Sequence, residues 1–320
     1  MLIDSGVFGV LLFFGLSGFI LTTPFFQAHK RNERIELKKF YIRRISRIEP
    51  PYFITLVILF VVQRFVMHAD GADMSHFLCS LFYIHSITFN DYSTINPVAW
   101  SLEVEVQFYI LVPFIIRSLV RVKRLDFWII SIMIAFSIVS QFVPLYKLNL
   151  GLSLFRFGHY FFAGILASYY LVYKPEKLKV SNSAGVLILI TAIGLFVFGQ
   201  FNWQNYIYQI QMVSVFILIF AALGSELIKR ILSVPLISII GGMCYTIYLL
   251  HFPMLHVFSK IGYRFFEPNT MLIDFFVFVI PMIVGVLFSC GIFFVILEKP
   301  FMYHNWFKVI QMKFNSRKIF

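Results

Sequence analysis

Nine apolar stretches, each long enough to cross a bilayer, recur along the chain at roughly 7–27, 51–67, 98–116, 127–146, 153–173, 184–201, 206–224, 235–259 and 271–297. A helix needs about 17–25 apolar residues to cross the hydrocarbon core. Repetition of that length predicts an all-α integral membrane protein, a polytopic bundle of about nine transmembrane helices. Composition agrees: 60% of residues are apolar, 13% are charged and mean hydropathy is +0.84, outside the range of soluble domains. A shorter run at 77–89 reads as re-entrant or interfacial. No soluble domain, internal repeat or low-complexity linker interrupts the series, so 1–320 reads as one membrane-embedded domain.

A net charge of +12 points to nucleic acid in a soluble protein. Here its distribution follows the positive-inside rule. Loop 28–49 holds eight Lys/Arg, 117–126 four, 174–183 three, 225–234 two and the tail 299–320 five. The alternate loops 68–97, 147–152, 201–206 and 260–271 hold none, one, none and two. The basic loop 28–49 and the basic tail 299–320 are therefore expected in the cytoplasm, together with the C-terminus, and Met1 outside. The opening run MLIDSGVFGVLLFFGLSGFIL carries neither a positive n-region nor a small-residue cleavage site, so it reads as a membrane helix rather than a signal peptide. Cys79, Cys244 and Cys290 are odd in number and set in apolar runs; they read as buried hydrophobes. No Cys/His spacing suggests a metal site.

Ionisable residues inside spans are costly and mark functional candidates. Among them are Glu103 and Glu105 in the third span, Arg156 and His159 in the fifth and His251 in the eighth. Counting 1.5 Å per residue puts Glu105 about 12 Å below the outer edge, Arg156 within about 6 Å of it, and His251 about 21 Å above the inner one. Glu105, Arg156 and His251 could then line one polar cavity in the outer half of the bilayer. The plainer alternative is that Glu105 and Arg156 form a pair that only fixes packing. Glu103, two residues away and so on another helix face, and His159, set among aromatics, read as structural.

The segment FYIRRISRIEPPY is more than a topogenic flank. Arg43, Arg44 and Arg47 precede a Pro-Pro helix start, and Arg44 and Arg47 share a face of any helical turn. Arginine forks bind phosphate bidentately, so a phosphorylated cytosolic ligand fits here. Contact with anionic lipid is the competing explanation.

Six blocks, in order, resemble the membrane acyltransferase 3 family, integral-membrane O-acyltransferases of surface polysaccharides. They are GVFGVLLFFGLSGFIL (6–21), FYIRRISRIEPPY (40–52), INPVAWSLEVEVQFYILVP (95–113), LFRFGHYFFAGILAS (154–168), IGGMCYTIYLLHFPM (240–254) and ILEKPF (296–301). The resemblance implies transfer of an acyl group, usually acetyl, to a hydroxyl of a cell-surface carbohydrate such as lipopolysaccharide O-antigen or exopolysaccharide. The enzyme class is a transferase of acyl groups other than amino-acyl groups, in the bacterial inner membrane. Its donor is cytosolic acyl-CoA (acetyl-CoA) as co-substrate, with no tightly bound cofactor, no metal and no nucleic acid; the lipid bilayer and a lipid-linked sugar are its other partners.

Acyl transfer to a hydroxyl needs a base and a stabiliser for the developing oxyanion. On this pattern His251, Glu105 and Tyr109 are the catalytic candidates, and Arg43, Arg44 and Arg47 hold the donor. Arg156, Ser17, Trp100 and Tyr245 are polar residues for substrate or structure. Cys244 stands where the family usually has serine, and Glu103 and Val106 depart from the residues usual around Glu105. The family pattern has ten spans, the first with an arginine and a histidine; the nine segments here correspond to its second through tenth, so no residue here takes that histidine's role. The resemblance thus admits two alternatives, a segment upstream of Met1 or a catalytically inactive chain. A polysaccharide or lipid transporter is the remaining alternative, against which stands the lack of matched broken segments in two halves.

Overall fold

The computed structural model describes residues 7–198, 207–265 and 275–302. Among them are thirteen α-helices and no strand. Five helical stretches, Gly9–Lys30, Leu37–Val66, Pro97–Leu119, Leu125–Phe142 and Phe276–Met302, are long and apolar enough to cross a membrane. Two more qualify if Gln209–Gly224 with Glu226–Leu232, and Pro235–Gly242 with Cys244–Gly262, each count as one bent span. The other two expected segments are also helical. Leu154–Tyr173 is 20 residues long, but Arg156, His159 and four tyrosines dilute its apolarity; Asn182–Phe198 is apolar but only 17 residues long.

Burial runs opposite to apolarity, as lipid requires. The most apolar stretch, Phe276–Met302, is 11% buried, whereas Pro97–Leu119, the least apolar of the five, is 61% buried. A soluble core would show the reverse. The protein is an all-α membrane protein.

Two compact units are described separately. The first comprises residues up to 35, 82–92 and 100–237. It holds α1 (Val7–Lys30), α4 (His85–Phe89), α5 (Trp100–Leu119), α6 (Leu125–Phe142), α7 (Leu154–Tyr173), α8 (Asn182–Phe198), α9 (Ile207–Gly224) and α10 (Glu226–Leu232). The hub is α7, against which α1, α6, α9 and α5 all pack. Lipid tails give no hydrophobic drive between helices, so close association depends on small residues and buried polar contacts. A Cβ on Gly164 would strike the Gly15 carbonyl oxygen and the Phe19 amide nitrogen of α1, and one on Gly18 would strike the Phe161 carbonyl oxygen of α7. The two backbones are therefore in contact, and Phe14 stacks on Phe161 (4.7 Å between centroids) beside them. Thr23 Oγ1 and Ser168 Oγ, 2.9 Å apart, add a hydrogen bond across the same interface.

Gly164→Ala is accordingly expected to destabilise the protein by about 3 kcal/mol, because backbone cannot yield as a side chain does. Gly194→Ala, where nothing lies within 4 Å of the added carbon, should be neutral or slightly stabilising. Thermal unfolding of the purified variants in detergent compares them; equal melting temperatures would contradict the close α1–α7 contact.

The second unit comprises 36–81, 93–99 and residues from 238 onward. It holds α2 (Leu37–Val61, prolonged by a π-turn, Val62–Val66), α3 (Met74–Leu81), a 3₁₀ turn at Pro97–Ala99, α12 (Cys244–Phe265) and α13 (Ile280–Phe293) with π-turns on both sides. Between the units in sequence lies α11 (Pro235–Gly242), bent by 72° from α12. α12 packs on α13 and on α2, and α2 also meets the segment 294–302. Tyr52 Oη donates to Ser80 O (2.8 Å), and Ser80 Oγ lies 2.7 Å from Ser93 Oγ, tying α2 to α3 and the loop before the 3₁₀ turn.

Three expectations change. The basic segment 28–49 is mostly helix: α2 starts at Leu37, thirteen residues before Pro50, so Arg43, Arg44 and Arg47 stand on a continuous helix that runs through both prolines. Cys244 is exposed at the start of α12, where the bend uncovers it, although Cys290 is buried as expected. The eighth expected span is not one straight helix: it bends by 72° before α12, and His251 stands about 10 Å along α12 from its first residue. The tail beyond Met302 lies outside the described residues, as does Met1.

Candidate active site

The first unit gathers polar side chains where α1, α5 and α7 meet. Ser17, in mid-helix on α1, donates its hydroxyl to the Glu105 carboxylate on α5; both residues are buried. The sequence reading named each of them but not their pairing. Trp100, at the first turn of α5, is 5% exposed and packs against Phe157 (5.0 Å), Phe14 (6.1 Å) and Tyr92 (6.2 Å). Tyr109 is half-buried on the same helix. Arg156 sits in the first turn of α7, donates to Gly151 O (3.4 Å) and lies over the Tyr146 ring at 4.6 Å. That position suits a cation-π contact at a helix start.

Two residues around this cluster have structural work. Glu103 is fully buried and accepts the Ser86 backbone N–H (2.8 Å), fastening the short α4 to α5. It faces a different neighbour from Glu105, as two-residue spacing on a helix demands. His159 is fully buried with its ring 4.1 Å from that of Tyr160, in keeping with an aromatic packing role. Gln107 escaped the sequence reading. Its Oε1 accepts the N–H of Leu154 (2.9 Å), the first residue of α7, and so satisfies one of the donors that every helix start leaves open. Its clue was its place in the SLEVEVQFY block, one turn after Glu103. At another edge of this unit, Lys174 pairs with Asp126 at 2.6 Å, and this contact raises the lysine's pKa further above its ordinary value.

The second unit assembles four of the sequence blocks along α12. Tyr245 Oη donates to Ile48 O (2.8 Å), next to the Pro50–Pro51 pair of α2. Thr246 donates to the Glu298 carboxylate, which is fully buried. Tyr248 donates to Val98 O, and Asn96 Nδ2 donates to Leu249 O (3.2 Å). One turn beyond Tyr248 stands His251. Its Nδ1 lies 2.8 Å from Tyr248 O and 3.1 Å from Ile247 O. Carbonyls only accept, so this geometry assigns the proton to Nδ1 and leaves the Nε2 lone pair as the basic face of the ring.

The arginines stand on the first half of α2 in this same unit. Arg43 is exposed, and Arg44 and Arg47 are half-buried. Arg47 is close enough for its charge to act on Glu298. The chemical inventory of this unit is therefore a cationic patch, a buried carboxylate, a buried amide and an imidazole with one nitrogen open. Ser17, Trp100, Glu105, Tyr109 and Arg156 belong to the first unit, and Arg43, Arg44, Arg47, Tyr245 and His251 to the second. Among the described residues no group of three or more His, Cys, Asp or Glu is placed to hold a metal.

Known proteins bear on this inventory. The family model described as the acyltransferase domain matches residues 2–295. A protein of Staphylococcus aureus (strain COL), provisionally named O-acetyltransferase SACOL0978, is 26% identical over 283 residues, covering 79% of this chain and 46% of the relative. O-acetyltransferase OatA of Staphylococcus aureus (strain NCTC 8325 / PS 47) is 25% identical over 284 residues, with the same 79% and 46% coverage. The chain thus spans about half the length of the curated relatives it matches. No solved structure matches it. With the family model covering nearly all of the chain and the motif blocks assembled as described, the chain belongs to the membrane acyltransferase 3 family, as an acyltransferase domain.

Proposed function

We propose that the protein is a membrane O-acyltransferase that moves an acyl group, acetyl first among them, from acyl-CoA to a hydroxyl of a cell-surface carbohydrate. Family membership and relatives named O-acetyltransferases support the reaction class. The observation that carries the reading is the second unit, which holds both an arginine triad suited to phosphates and an imidazole with an open nitrogen. The three arginines of α2 bind the phosphates of the donor from the cytosol. His251 accepts the proton of the attacking hydroxyl at Nε2, while its Nδ1–H stays fixed on the backbone carbonyls. The hydroxyl oxygen then attacks the thioester carbonyl, the C–S bond breaks, and the thiol leaves with the proton.

The test is deletion of the gene followed by mild-base release of acetate from surface polysaccharide. Loss of the base-labile acetate, restored by the wild-type gene, is the expected result. Unchanged acetate would refute O-acetyl transfer as the main role.

A further inference from the structure

Three buried side-chain oxygens of the second unit have no hydrogen-bond partner among the described residues: the Thr55 hydroxyl, the carboxylate oxygen Glu298 Oε1 and the amide oxygen Asn96 Oδ1. Glu298 is 0% exposed; one carboxylate oxygen takes the Thr246 hydroxyl and the other, Oε1, takes nothing. Asn96 is 1% exposed; its Nδ2 is engaged by Leu249 O, and its Oδ1 takes nothing. A buried polar atom left unpaired is costly, and natural structures rarely keep one without a use. Glu298 and Asn96 are each anchored by their other polar atom, so the spare oxygen is held in place rather than free to turn away.

Their placement is ordered. Glu298 and Asn96 are attached to α12 at Thr246 and Leu249, three residues or about 4.5 Å apart along the axis. Arg47 acts on Glu298 from α2, and His251 follows Leu249 by two residues. Counted along the axis of α12, the order is therefore cation, acceptor, acceptor, base, with His251 turned to another face from Leu249. Unpaired acceptors call for a ligand with N–H or O–H groups between a phosphorylated end and a reactive end. The pantetheine arm of an acyl-CoA has that pattern: two amide N–H groups and a hydroxyl lie between its pyrophosphate and its thioester.

We propose that Glu298 Oε1 and Asn96 Oδ1 are binding groups for the pantetheine arm, accepting its N–H or O–H donors on the way from the arginines to His251. This inference rests on the reading of the protein as an acyl-CoA-dependent acyltransferase. It adds two residues to the donor site, and it explains why a carboxylate is kept fully buried beside Thr246.

The experiment compares two ligands on the purified full chain in detergent: acetyl-CoA, and adenosine 3′,5′-bisphosphate, which has phosphates but no arm. Glu298→Gln keeps the volume and a carbonyl for Thr246, but turns the spare acceptor into a donor. It is expected to weaken acetyl-CoA about tenfold, the worth of one hydrogen bond. The bisphosphate, which has no arm to meet the spare acceptor, should bind as in wild type. Asn96→Leu is the second variant, and either one that keeps wild-type bisphosphate affinity decides the matter. An unchanged ratio of the two affinities, or an equal loss for both ligands, would overturn the assignment of the arm. If wild-type protein binds neither ligand, the donor reading itself falls and the arm assignment with it.

Discussion

His251→Gln is expected to reduce acyl transfer by about 10²–10⁴-fold, the usual contribution of a positioned general base. Acetyl-CoA affinity should stay near the wild-type value. Glutamine approximates the size of the imidazole and can still donate to the carbonyls of Tyr248 and Ile247, so α12 keeps its local contacts. What it lacks is a nitrogen lone pair of useful basicity at the Nε2 position. The loss should therefore fall on kcat rather than on substrate binding, which is the signature of a group needed in the transition state. A merely structural histidine predicts a different result: activity within a few-fold of wild type, or a parallel loss of melting temperature and donor binding. Turnover measured with labelled acetyl-CoA, beside the melting temperature, separates these outcomes. Retained turnover in a stable His251→Gln protein would remove the base from the mechanism.

The position of His251 also shows where sequence reasoning reached and where it stopped. The apolar segments were legible because lipid enforces length and composition directly, and the described residues of all nine are helical for most of their length. Depth was less legible, because a hydropathy run does not announce a bend. Pro235–Gly242 and Cys244–Gly262 form one apolar run, yet they turn by 72° between them. The start of α2 was misplaced for a related reason. The Pro-Pro pair looks like a helix start, but LKKFYIRRISRI ahead of it alternates apolar and basic residues with helical spacing, and the helix runs straight through.

Pairings over long separations were not legible at all. Ser17 and Glu105 are 88 residues apart and Thr246 and Glu298 are 52 apart, so each hydrogen bond follows from helix packing rather than from either motif. The close approach of α1 to α7 is likewise seen only in the packing, where Gly18 meets Phe161 and Gly164 meets the Gly15 carbonyl oxygen. A buried acceptor without a donor, such as Asn96 Oδ1, has no sequence signature. It is visible only when every neighbour has been accounted for.

The combined substitution Arg44→Gln, Arg47→Gln is expected to weaken acetyl-CoA binding by about 10²–10⁴-fold. Each charge-assisted hydrogen bond to phosphate contributes about 1.5–3 kcal/mol, so two lost together correspond to about 3–6 kcal/mol. The two residues are three apart on α2 and so present their forks on one side, whereas Arg43 is exposed. Arg43→Gln alone should therefore cost less. Lysine at both positions should restore only part of the affinity, because an ammonium keeps the charge but not the bidentate fork. Binding of labelled acetyl-CoA to purified protein measures all three variants beside wild type. A reporter at the C-terminus checks that membrane orientation, which also depends on these cations, has not changed. Should the double glutamine variant bind acetyl-CoA as tightly as wild type, the arginines serve topology or anionic lipid, and the donor's phosphates are held elsewhere.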